Sequence, residues 1–79
     1  MSNAQLNLTQ LKKGERAFIK SYQDKYIGLK MMELGCFPGQ EVTLEQIAPL
    51  GDPIAISFNG SLISLRRAEA ETIHIIFAS

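Results

Sequence analysis

Apolar and polar residues alternate over three stretches of the chain and recur at helical spacing over one. Val42, Leu44, Gln46 and Ala48 alternate with Glu41, Thr43, Glu45 and Ile47, which predicts a strand with its acidic residues toward water. Ile54, Ile56 and Phe58 alternate with Ala55, Ser57 and Asn59, and Ile73, Ile75 and Phe77 form one face of a last strand. Asn59-Gly60 is a strong two-residue hairpin signal, so Ser61 to Leu65 is expected to return beside residues 54–58. Glu15 to Tyr22 is rich in strand formers but alternates poorly, so both of its faces are expected to be partly covered.

Ile27, Met31 and Leu34 fall at i, i+4 and i+7, one face of a helix opened by Asp24 as its cap. Gly35 follows at the left-handed position that stops helices. Gly28 lies inside this helix, where glycine costs about 1 kcal/mol against alanine, which predicts either a close approach of another backbone or an irregular helix. Two shorter turns complete the reading. Thr9 is expected to cap one that places Leu8 and Leu11 on one side, and Arg66 to Glu71 form the other. Gly14 is expected at positive φ, and Phe37-Pro38-Gly39-Gln40 and Pro49-Leu50-Gly51-Asp52-Pro53 read as rigid turns. About five short strands and one helix in so few residues must curl into a small β-barrel to bury one face.

Length and charge narrow the function. The 79 residues allow one domain, with residues 1–6 read as a flexible N-terminal tail and 7–78 as the folded unit. Eight basic residues balance eight acidic ones, which argues against nucleic acid as the main partner. One cysteine, Cys36, excludes an internal disulfide and favours a reducing, cytoplasmic setting. No stretch approaches the ~20 apolar residues of a membrane-spanning helix, and the first residues lack a signal-peptide pattern, so direct membrane insertion is not expected.

Several short motifs stand in a telling order: Leu11-x-x-Gly14, then Glu33-Leu34-Gly35-x-x-Pro38-Gly39-x-x-Val42, then Pro49-x-Gly51-Asp52-Pro53-Ile54, then Gly60, then Leu65-Arg66-x-x-Glu69-Ala70-x-x-Ile73. From about Leu8 to Ile76 the chain resembles the FeoA family. The resemblance implies a mainly β, SH3-like barrel with one inserted helix. It also implies an accessory role in bacterial ferrous-iron uptake, with the FeoB membrane GTPase-permease as partner through its soluble domain. A similar domain ends some iron-dependent transcriptional repressors, so a metal-responsive regulatory module is the alternative. No helix-turn-helix accompanies it here. Cys36 stands where relatives often carry a bulky apolar residue.

The residues themselves separate geometry from chemistry. Gly35, Pro38, Gly39, Pro49, Gly51, Asp52, Pro53 and Gly60 are expected to set backbone geometry, with Asp52 bonding within its own loop. Arg66 is expected to pair with Glu69 or cap a neighbouring turn, leaving Arg67 toward solvent. Cys36 and His74 are the only soft ligands, with Glu33 nearby. Two fall short of the four a closed zinc site needs, so no metal site and no cofactor are expected. No nucleophile–base spacing or phosphate loop suggests an enzyme. If Ile27, Met31 and Leu34 face the barrel, then Lys25, Tyr26, Leu29, Lys30 and Met32 lie off that face. They form, with Arg67, the candidate partner-binding set. A bare strand edge leaves homo-oligomerisation open as a third class of behaviour.

Overall fold

The computed structural model describes residues 6–78; the remainder of the expected tail, residues 1–5, lies outside the described residues. Five strands form one antiparallel sheet: β1 (Arg16–Tyr22), β2 (Glu41–Ile47), β3 (Ile54–Phe58), β4 (Ser61–Leu65) and β5 (Ile73–Phe77). Their order is β4-β3-β2-β1-β5. Helix α1 (Lys25–Glu33) joins β1 to β2, and a short helix α2 (Arg67–Ala70) joins β4 to β5. A one-turn 3₁₀ helix, Leu8–Gln10, precedes β1. The mainly β architecture with one inserted helix is as the pattern predicts.

The sheet curls because two of its strands carry an extra residue. Between Ile19 and Ser21 the pairing of β1 with β5 slips by one, and between Leu44 and Gln46 that of β2 with β3 does the same. Such bulges bend a strand and flip the parity of every residue beyond them. This explains the poor alternation of β1. Ala17 and Ile19 point inward, and after the slip Tyr22 is brought opposite the buried Ile73. Both faces were expected to be partly covered, and Phe18, on the outer face, is 39% exposed. The same effect corrects the reading of β2. Gln46, expected inside, stands on the outer face opposite Ala55, whereas Ile47, expected outside, comes opposite the buried Ile54 and stays 43% exposed.

The inner face closes into one core. Leu8, Ile19, Met31, Leu44, Ile56, Leu65 and Ile73 are its largest fully buried side chains. Each such residue stabilises the fold by roughly 1.5–3 kcal/mol relative to leaving it in water. The 3₁₀ turn touches both α2 and β5, so Leu8, Leu11 and Ala70 fill the gap between the ends of the sheet. That turn is capped by Asn7, not Thr9. The Asn7 carboxamide oxygen accepts from the Thr9 N–H, and Gln10 Oε1 accepts from the Asn7 N–H at 2.7 Å. The capping residue must precede the first helical residue, and Thr9 already lies inside the turn.

Asn59 and Gly60 take φ values of +50° and +78°, the type I′ turn their sequence predicts, and the pairing of β3 with β4 is regular from Phe58–Ser61 to Ile54–Leu65. Gly35, at φ +93°, ends the run after α1. Leu6 is tied into the domain: its carbonyl accepts from the Ile75 N–H at 2.9 Å, on the side of β5 away from β1.

Candidate functional site: the outward face of the inserted helix

Asp24 starts α1 as expected, its carboxylate accepting from the Tyr26 and Ile27 N–H groups at 2.8 and 3.1 Å. The helix lies against β1 along a narrower line than the periodicity predicts. Gly28 and Met31 are buried and Ile27 is half-buried, but Leu34 is 50% exposed. Leu34 is the C-cap residue rather than part of the helix, so it no longer follows the helical face set by Ile27 and Met31. At Gly28 the close neighbour is a side chain rather than a backbone: a Cβ there would lie 2.9 Å from the Tyr22 Cβ.

Tyr22 links the helix, the strand and the following loop. Its hydroxyl donates to the Cys36 carbonyl at 2.6 Å, and burial, with the Cys36 thiol beside it, pushes the phenol far above its usual range. Cys36 is fully buried, and burial raises its thiol too. His74 stands on the outer face of β5, opposite Ser21, with Nδ1 3.4 Å from the Ser21 hydroxyl. Cys36 belongs to the core and His74 to the outer face, so the fold does not bring the two soft ligands together. Among the described residues no three of His, Cys, Asp or Glu converge on a possible metal position.

The motif residues act through the backbone. Gly39 and Gly51 take φ of +96° and +88°, and the Asp52–Pro53 peptide is cis. Asp52 serves another element than its own loop: its Oδ1 accepts from the Arg67 N–H at 3.1 Å, tying the β2–β3 loop to the start of α2. Glu69 engages Arg66 through the backbone, Oε1 accepting from the Arg66 N–H at 3.0 Å. The expected side-chain pairing of Arg66 with Glu69 is thus replaced by half of a capping box. The Arg66–Glu69 proximity was legible from their spacing, but the Asp52–Arg67 contact was not, because those two are 15 residues apart.

The candidate surface for recognition is the outward side of α1. Tyr26 and Leu29 are 85% and 54% exposed, Lys25 and Lys30 are exposed, and Met32 is half-buried. Tyr26, Leu29, Lys30 and Glu33 follow the i, i+3, i+4, i+7 pattern of one face and line a shallow groove of ≈ 380 Å³ with Ile27 and Glu69. Five of the partner-binding candidates lie on this helix, and Arg67 is exposed on α2, two residues before Glu69. A larger hollow of ≈ 580 Å³ on the outer face of β2 and β3 is lined mostly by polar side chains, among them Glu41, Thr43, Glu45 and Ser57. Exposed aromatic and aliphatic side chains gathered on one helical face suit protein contact better than that polar sheet surface. The exposed Leu34 was missed by periodicity, and Phe37, 55% exposed just beyond, extends the apolar surface past the helix end.

Among the described residues no helix is long and apolar enough to cross a membrane. No curated protein matches the chain. Solved structures do. The FeoA protein of Chlorobium tepidum is 36% identical, with a TM-score of 0.87 over 94% of this chain and 71% of its own. The FeoA of Stenotrophomonas maltophilia, solved with zinc and described as a procaryotic SH3 domain protein, is 27% identical, with a TM-score of 0.77 over 89% of this chain and 88% of its own. A manganese-dependent transcriptional repressor shares the fold at 11% identity, with a TM-score of 0.82 over 99% of this chain and 39% of its own. The fold is therefore the SH3-like barrel. The FeoA domain family model matches residues 6–76, and with nearly the whole described chain inside that match, this protein belongs to the FeoA family of ferrous iron transport.

Proposed function

We propose that the chain is a cytoplasmic binding module, without catalysis of its own, for the FeoB-type GTPase-permease of ferrous iron uptake. It docks on that partner's soluble domain through the outward face of α1. The observation that carries the reading is the exposure of Tyr26 and Leu29 on the side of α1 opposite the buried Met31. A module of this kind acts by binding one conformation of its partner more tightly than another and so shifting their balance. Lys25 and Lys30 flank the apolar pair and supply the charge that orients an acidic partner surface.

The alternative, a metal-responsive regulatory module, draws no support from the positions of Cys36 and His74.

Calorimetric titration of the partner's soluble domain tests the docking face. Leu29 is exposed, so Leu29→Asp leaves the fold intact while removing a contact worth roughly 1.5–3 kcal/mol, about a 10- to 100-fold loss of affinity. Equal binding by the variant and the wild type removes this face from the account.

A further inference from the structure

The sheet has two edges, and they are treated differently. On β5 the Ile75 N–H is bonded to the Leu6 carbonyl, and Asn7 pairs with His74, so the outer edge is occupied at its middle. On β4 nothing comparable is present. Among the described residues, the backbone groups of Ser61 to Leu65 make no bond outside the ladder with β3. The usual guards of an open edge are charges, prolines and bulges, and Ser61-Leu62-Ile63-Ser64-Leu65 has none of them.

The hairpin turn decides which groups are open. With a two-residue loop, Phe58 and Ser61 form a hydrogen-bonded pair, so Ile56–Ile63 and Ile54–Leu65 do likewise. Ser61, Ile63 and Leu65 therefore spend their N–H and C=O groups on β3. Those of Leu62 and Ser64 point away from the sheet.

We propose that this edge pairs with the same edge of a second copy, antiparallel, about a two-fold axis through Ile63. In that register Leu62 lies opposite Ser64 of the second copy and Ser64 opposite its Leu62. All four open groups of each strand are bonded, and Ile63 meets its own counterpart in the intervening non-hydrogen-bonded pair. Side-chain character fits the same register. Leu62, 62% exposed, meets a serine, and the half-buried Ile63 meets an isoleucine. Charge permits it as well. The edge is uncharged, the whole chain has a net charge of zero, and Arg66 comes opposite Gly60 rather than its own counterpart. A charged partner segment would find no complement along this strand, whereas an identical strand matches it group for group. β4 lies three places from β1 in the strand order and α1 packs on β1, so the pairing is independent of the docking face proposed above.

Sedimentation equilibrium on the full chain from about 10 μM to about 1 mM tests the pairing, since so small an interface belongs to the weak class. The expected result is a monomer–dimer equilibrium within that range. Amide hydrogen exchange by NMR supplies the register: the Leu62 and Ser64 amides slow with rising concentration, whereas the Ile63 amide is protected throughout. Ser64→Pro deletes an outward N–H that the β3 ladder does not use, and Leu62→Lys sets a charge on the edge. Either variant is expected to weaken dimerisation at least 10-fold while keeping the wild-type circular dichroism spectrum. A wild-type chain that stays monomeric to 1 mM overturns the proposal. So does a dimer unaffected by Ser64→Pro, or one in which the Leu62 and Ser64 amides exchange freely.

Discussion

Replacing Gly28 with alanine sets two physical effects against each other within α1. Helix propensity favours the change by about 1 kcal/mol, because glycine loses more backbone freedom than alanine on folding. Packing opposes it. The added Cβ would lie 2.9 Å from the Tyr22 Cβ, 3.2 Å from its Cγ and 3.4 Å from its Cδ2. Carbon atoms rest at about 3.5–4.0 Å, so the helix and strand must part by roughly 0.6–1 Å. Tyr22 cannot swing aside cheaply. Its Cβ is fixed to β1 beside Ile73, and its hydroxyl is held by the Cys36 carbonyl. Forcing a methyl group into a packed site of this kind costs about 1–3 kcal/mol. The net expectation is a loss of about 1 kcal/mol, or roughly 4–8 °C in melting temperature for a domain of this size. Urea denaturation followed by circular dichroism measures it. A variant more stable than wild type by a full kilocalorie would show that α1 rides loosely on β1, and the close-approach argument would be wrong.

Other consequences can be checked in parallel. Tyr22→Phe leaves the Cys36 carbonyl without its donor and is expected to lower stability by about 1–3 kcal/mol in the same urea assay. The phenol is raised above its usual value near 10 in the folded chain, so the unfolded chain gives up that proton first. The contribution is complete below pH ~10 and falls as pH rises further; stability measured from pH 9 to 11 should lose this part of its slope in Tyr22→Phe. Asp52→Ala removes the cap on α2 and should cost about 1 kcal/mol, with amide exchange quickening first at residues 67–71; uniform quickening would contradict a local role. Cys36, buried and with a raised thiol, should resist a thiol reagent in the native chain and react at once in urea; rapid native labelling would contradict its burial.

What could be foreseen from sequence follows the range of the interaction. Asn59-Gly60, Gly35 and the alternation of Ile54, Ile56 and Phe58 report on neighbours a few residues away, and each element stands where its signal puts it. The errors share another origin. Gln46 leaves the inner face because one residue is added to a ladder, an event with no local signature in the sequence. Leu34 leaves the core because the helix stops one residue sooner than its apolar spacing. Asp52 caps α2 across 15 residues, a contact only the folded chain creates. The candidate face on α1 was half legible. Tyr26 and Leu29 were marked by lying off an apolar stripe, whereas the exposure of Leu34 and Phe37 depended on where the helix ended.

The bond from Ile75 to Leu6 has a consequence for how far association can go. A sheet with two sticky margins adds copies without end and grows into fibres. Here the other margin is interrupted at its middle by the chain itself, at Ile75 and His74, so once two molecules have joined along β4 each presents an edge with no free run for a further strand. Growth stops at a pair, and removing the residues that do the sealing would turn a terminating contact into a polymerising one.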